Sequence, residues 1–187
     1  MKTLLRACLF ACCLMISAPL MAEGEGWLSR GWNAASTEVS DIWKEGSPEV
    51  YLPFKTHHMR WAYTREKIDG YQESPFGLGF GLGRTDEKGN WSGFYAMGFQ
   101  DSHSMPQWMA GYGWKAMWGD RSGWRAGLGY TLFLTARSDI GRYTPFPAIL
   151  PVASIAYKKF SVESAYVPGG QGYGNILFFW GKWSFDN

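Results

Sequence analysis

From residue 27 the hydrophobic positions first step by three and four, then alternate one by one almost to the end of the chain. In WLSRGWNAASTEVSDIWKEG (27–46) the apolar groups fall at Leu28, Trp32, Ala35, Val39, Ile42 and Trp43, with polar residues between them. That spacing predicts an amphipathic helix over 27–46, stopped by Gly46 and Pro48. Two settings suit such a helix: packed on a soluble core, or lying at a membrane interface.

From Val50 the period becomes two. It predicts eight strands at about 50–63, 76–85, 91–100, 108–118, 124–137, 147–158, 160–167 and 175–185. In the second strand Phe76, Leu78, Phe80 and Leu82 share one face, and Gly77, Gly79, Gly81 and Gly83 the other. The fourth sets Trp108, Tyr112, Trp114 and Trp118 against Met109, Gly111, Gly113, Lys115 and Met117. The fifth sets Trp124, Leu128, Tyr130, Leu132 and Leu134 against Gly127, Gly129 and Thr131. The connections alternate as well. DEKGN (86–90), GDRSG (119–123) and Lys158-Lys159 are tight, whereas 64–74, 100–107, 137–146 and 168–175 are longer. Strands of about ten residues, even in number, with short turns on one side and long loops on the other, are the pattern of an outer-membrane barrel. The expected fold is therefore all-β: an eight-stranded antiparallel transmembrane β-barrel (about 50–185) behind an N-terminal amphipathic helix.

Composition sharpens this. An aromatic share of 18%, with 11 Trp and 24 Gly, is unusual for a soluble core and ordinary for a barrel with lipid-facing aromatic girdles. A mean hydropathy of −0.23 is compatible with a membrane protein whose strands are apolar only at alternate positions. Residues 1–22 have a basic start, an apolar middle and a small residue at Ala22, the layout of a secretory signal peptide. They contain all three cysteines, Cys8, Cys12 and Cys13, so a processed chain of residues 23–187 has no thiol chemistry. They also contain two of the 18 basic residues and none of the 16 acidic ones, which leaves 16 of each sign and no case for nucleic-acid binding.

Successive side chains in a strand point to opposite faces, so the bulky set is expected to meet lipid and the small set the lumen. A lumen of small apolar residues suits a dry pocket for a long acyl chain. The alternative is a tightly self-packed small barrel whose glycines only ease coiling. Proline adds a second clue, since it cannot donate to a ladder. Pro53, Pro75, Pro145, Pro147, Pro151 and Pro168 fall where strands one–two and six–seven meet near the long loops. The gaps they leave either admit a lipid tail sideways or merely end edge pairing.

The chemistry-bearing stretch is GFQDSHSMPQWMAGYGW (98–114), where a strand breaks into a loop with Asp101 beside Ser102. The barrel topology brings His57 and His58, towards the outer end of the first strand, to the same rim. A base, a carboxylate and a hydroxyl over an apolar cavity fit acyl transfer. The plainer reading is an ordinary loop Asp-Ser and an interface histidine. No cofactor motif appears, and the histidines have no carboxylate set at metal-ligand spacing in the sequence.

YLPFKTHHMRWAY, TDEKGNWSGFYAMGFQDS, AGYGW and ILPVASIAY, in that order, resemble the matching blocks of the outer-membrane lipid A palmitoyltransferase family, PagP. The resemblance covers essentially the whole chain after residue 22. It implies transfer of a palmitoyl chain from the sn-1 position of a phospholipid to the hydroxyl of a hydroxyacyl chain on lipid A. It implies catalytic roles for His58, Asp101 and Ser102, an acyl-chain ruler ending at Gly113, and lateral lipid access beside Pro53, Pro75 and Pro168. It further implies an outer-membrane location with the site facing the external leaflet, no cofactor and no metal, and a monomer, with a dimer as the alternative. His57 stands where the family usually has tryptophan, and His103 where an aromatic is typical. Two other readings stay open: a phospholipid esterase on the same barrel, with water as acceptor, and a structural barrel without turnover.

Overall fold

The computed structural model describes residues 26–185; the expected signal peptide and the last two residues lie outside them. Two compact units are present, one ending at Glu38 and one starting at Val39. Helix α1 (Trp27–Glu45) crosses that boundary and closes within a residue of the predicted end. In its first unit the hydroxyls of Ser29 and Ser36 bond back to the carbonyls of Gly26 and Asn33, three residues earlier. In its last turns Ile42 is fully buried, and Arg84 holds Glu45 at 2.8 Å and Asp41 at 3.5 Å.

Eight antiparallel strands follow: β1 (Ser47–His58), β2 (Gly77–Thr85), β3 (Trp91–Gln100), β4 (Pro106–Gly119), β5 (Trp124–Ala136), β6 (Phe146–Tyr157), β7 (Phe160–Val167) and β8 (Ile176–Ser184). Each pairs with its neighbours in sequence and β8 returns to β1, which closes the barrel. Among the described residues the tight turns share one end and the long loops the other. Two of the differences from the expected bounds reshape the long loops. β1 stops at His58 because Met59–Ala62 forms a turn (Ala62 N–H to Met59 C=O, 2.9 Å), and the loop then makes a short helix α2 (Arg65–Asp69) capped by Thr64. β4 starts at Pro106, so the loop before it is only Asp101–Met105, closed by Asp101 N–H on Met105 C=O (2.8 Å) with Ser104 at φ +61°.

The alternation on β2, β4 and β5 is as expected: Phe80, Trp108, Leu128 and Leu132 face out and Gly113, Gly127 and Thr131 face in. β3 runs the other way, with Tyr95 and Met97 buried inside. The inward glycines of β2 make room for those neighbours. A Cβ on Gly83 would coincide with the Glu49 carboxylate, one on Gly81 would press on the Tyr51 ring at 3.0 Å, and one on Gly79 would meet Met97.

The expectation of a lumen mostly small and apolar fails in the half nearer the tight turns. There Glu49, Lys115, Glu163 and Lys182 are all buried. Lys115 pairs with Glu163, and Lys182 with Glu49 at 2.8 Å. Tyr51 and Trp91 donate to Glu49 at 2.6 and 3.0 Å, and Ser161 donates to Glu163 at 2.8 Å. Both ammonium groups also lie over the Trp91 ring, at 4.3 Å (Lys115) and 3.9 Å (Lys182). Alternation alone cannot reveal this layer, because the four charges come from four different strands. Truncating one partner of a buried pair leaves the other charge stranded, at a cost of about 3–5 kcal/mol. Glu163→Ala is therefore expected to lower the stability of the folded barrel by that order in urea titrations. The double variant Lys115→Met/Glu163→Leu should recover most of the loss.

Candidate active site

At the long-loop end the lumen opens into a cavity of about 220 Å³. Met97, Phe99, Met109, Phe133 and Phe178 give it apolar walls, while Asp101, Ser102, Gln107 and Arg137 bring polar groups to it from the loop side. Toward the charged layer it is bounded by Tyr95, Thr131 and Trp180, with the Tyr95 and Thr131 hydroxyls bonded at 2.6 Å.

His58 is the last residue of β1 and is 1% exposed. Its Nε2 lies 3.2 Å from the Ser102 Oγ, so the fold joins two residues 44 apart in the chain. Its Nδ1 lies 3.0 Å from Glu73 Oε1, and its backbone N–H donates to the same oxygen at 3.1 Å. The ring stacks on Tyr71 (4.5 Å, 25°) and meets Tyr63 edge-on (5.0 Å, 83°). Partial burial acts to raise the Glu73 carboxyl. Hydrogen bonds from Arg60, from the backbone and ring of His58 and from Lys55 outweigh it and hold the group well below the ordinary carboxylate range. A carboxylate can only accept, so Nδ1 carries the proton and the Nε2 lone pair faces Ser102.

Asp101 adjoins Ser102, but its Oδ1 is spent on its own loop, accepting from the N–H groups of His103 (2.8 Å) and Met105 (2.9 Å). Its buried Oδ2 has no hydrogen-bond partner among the described residues, and Arg137 is 3.7 Å away. The carboxylate on the histidine is thus Glu73, which sequence reading missed. Glu73 sits in a long loop where no periodicity places a side chain. The one signal was its position between Tyr71 and Pro75, just before β2. His57, one residue from His58, projects to the opposite face of β1. His103 is exposed, with its Nδ1 4.0 Å from Asp101 Oδ2 and its ring perpendicular to that of Tyr71 (5.4 Å, 83°).

Asp101, His103 and Asp139 bring ligand atoms within 4.8 Å of one another, a grouping the sequence did not suggest. The Arg137 guanidinium, 2.9 Å from Asp139 and 3.7 Å from Asp101, already fills the place a cation would take.

Gly113 does not line the main cavity. It lines a void of about 20 Å³ that shares Tyr95, Met97, Thr131 and Trp180 with the cavity wall. A Cβ there would touch the Trp91 ring at 3.0 Å. The proline positions coincide with breaks in the ladders. The β1–β2 pairing ends at Tyr51↔Gly79, two residues before Pro53, and Pro75 is buried in the loop just before β2. The β6–β7 pairing reaches only Val152↔Ala165, which leaves Phe146–Pro151 without a β7 partner; Pro168 follows the end of β7.

A closed, even-numbered antiparallel barrel with an apolar exterior, asymmetric loops and a histidine–serine pair beside an internal cavity defines the class: an outer-membrane β-barrel with an internal apolar site. Residues 38–182 match the family described as "Antimicrobial peptide resistance and lipid A acylation protein PagP", and the chain belongs to that family. It is 50% identical over 168 residues to the lipid A acyltransferase PagP of Methylobacillus flagellatus, covering 89% of this chain and 91% of that one. The PagP enzymes of Laribacter hongkongensis (44%; 84% and 74% covered) and Klebsiella pneumoniae (42%; 92% and 92%) are also similar.

The cavity wall gives a direct test of occupancy. Ala148 packs partly buried against its apolar lining. Ala148→Trp should fill the space and weaken binding of a fluorescent fatty-acyl probe by at least roughly tenfold, since each buried methylene is worth about 0.8 kcal/mol. Unchanged probe affinity would mean that the chain binds elsewhere.

Proposed function

We propose that this protein is a lipid A acyltransferase that moves a palmitoyl chain from the sn-1 position of a phospholipid to the hydroxyl of a hydroxyacyl chain on lipid A. The observation that carries the chemistry is the 3.2 Å approach of Ser102 Oγ to His58 Nε2 beside an apolar cavity. Membership of the PagP family supports the acceptor. The protein reaches the outer membrane by way of a signal peptide at residues 1–22. The long-loop end, and with it the site, faces the external leaflet.

In this reading the donor chain lies in the cavity with its ester at the level of His58 and Ser102. His58 Nε2 takes the proton of the attacking hydroxyl as that oxygen adds to the ester carbonyl. The same proton then passes to the glycerol oxygen that leaves as lysophospholipid. Ser102 occupies the position beside Nε2 that the attacking oxygen needs, and an acyl ester trapped on Ser102 would identify it as a covalent nucleophile. Asp101 lines the cavity, and its Oδ2 has no hydrogen-bond partner among the described residues, which suits it to hold the acceptor's hydroxyl. The ladder breaks beside Pro53 and Pro75 and beside Pro168 serve as lateral entries, so neither lipid has to leave the bilayer.

Phospholipid labelled in its sn-1 palmitoyl chain, supplied with and without lipid A, tests this. The label should move to lipid A when lipid A is present, and His58→Ala and Ser102→Ala should each lower the rate about 10²–10⁴-fold while the barrel stays folded. Equal release of free fatty acid with and without lipid A would favour the esterase reading. Full activity of either variant would displace the assigned residue.

A further inference from the structure

The loop between β1 and β2 does more at this site than fill a gap. Its stretch Tyr71–Gln72–Glu73 touches both halves of the His58–Ser102 pair. Tyr71 stacks on the imidazole, the Gln72 N–H donates to the Ser102 carbonyl at 2.9 Å, and Glu73 accepts from His58 Nδ1 at 3.0 Å. Glu73 is itself fixed from the other side. Arg60 forks onto its two oxygens at 3.0 and 2.8 Å, Lys55 adds a third donor at 3.2 Å, and the Glu73 carbonyl accepts from the Thr56 N–H at 2.9 Å. A bidentate guanidinium gives a carboxylate a defined plane as well as a charge partner. The carboxylate therefore cannot swing away from the ring without breaking several charged bonds at once.

We infer that Glu73 is a positioning residue of the transfer site, holding His58 in the tautomer that presents Nε2 to the attacking hydroxyl and stabilising the imidazolium that forms. The inference rests on His58 being the base. Asp101, the other acidic side chain near the pair, spends its bonds within its own loop and near Arg137, so it does not duplicate this role. The groups facing the His58 ring are Glu73 with Lys55 and Arg60 behind it, Tyr63, Tyr71 and the Ser102 hydroxyl; His57 neighbours it in the chain, and His103 reaches it only through Tyr71. Of these, Glu73 alone is an anion in hydrogen-bond contact with the ring.

Removing the charge has two effects of opposite appearance. Without Glu73 the protonated imidazole loses its counter-charge, so the neutral base survives to lower pH. The imidazolium formed during reaction loses the same support, so turnover slows. Glu73→Gln in the full-length barrel is expected to lower kcat roughly 10²–10⁴-fold with little change in KM. The acid limb of its rate profile should move to lower pH. A purely structural role would lower the amount of folded protein, read from heat-shifted electrophoretic mobility, without moving that limb. Glu73→Ala assayed with and without formate is the second variant, and recovery of rate by the small carboxylate is expected. If His58→Ala keeps transfer activity, the base assignment falls and this inference with it. If His58→Ala is inactive while Glu73→Gln keeps the parental kcat and acid limb, or Glu73→Ala shows no recovery with formate and an unmoved limb, the role of Glu73 alone is overturned.

Discussion

Four charges placed out of reach of water must neutralise one another, and in this barrel they do so across the lumen. Burying an unpaired carboxylate or ammonium costs several kcal/mol, so Glu49, Lys115, Glu163 and Lys182 constrain one another's positions. The strands that carry them, β1, β4, β7 and β8, are thereby tied through the interior as well as along the ladders. Trp91, held against both ammonium groups and bonded to Glu49, is locked in the same layer. Gly113 lies against that indole, and a Cβ there would press on the ring at 3.0 Å. The charged layer occupies the half of the lumen nearer the tight turns, and the apolar cavity toward the long loops is therefore a blind pocket and not a channel. A blind pocket of fixed depth can measure a chain.

The second constraint is the backbone's. In a bilayer every N–H and C=O needs a partner, so a barrel can open its wall only where the freed groups find substitutes. Proline has no N–H to satisfy, which suits it to the edges of the two breaks. Beyond Pro53 two amides of β1 turn to the loop: Thr56 N–H goes to Glu73 C=O, and His58 N–H to the Glu73 carboxylate. The placement of His58 and the end of the β1–β2 ladder thus depend on one loop segment. In the proposed reaction, a site assembled at that break would give both lipids access from the plane of the bilayer.

Much of this was legible in the sequence, because period two and the alternation of short and long connections are local features. β3 and β7 match their expected spans, and most other strand ends differ by one to three residues. The larger misses have physical causes. β1 ended five residues early because a turn at Met59–Ala62 and a capped helix interrupt an apolar run that looked continuous. The inward glycines of β2 looked like room for a ligand, yet they make room for Glu49, Tyr51 and Met97 of the protein itself. The pairing of His58 with Ser102 could be anticipated from topology, since both lie at strand ends on one rim. Glu73 could not, because a loop residue's direction is set by tertiary bonds that leave no periodic trace.

The proposal that the lumen measures its substrate turns on Gly113 and the Trp91 wall behind it. Mass analysis of the acylated product from Gly113→Met, given a mixture of phospholipids with different sn-1 chains, addresses it most directly. A methionine there has nowhere to go but toward the cavity, since Trp91 is pinned and protein interiors have little slack. The transferred chain should shorten from palmitoyl by several methylenes while the barrel remains folded. A variant that still transfers palmitoyl as cleanly as the parent would show that the layer at Gly113 is not the floor of the pocket.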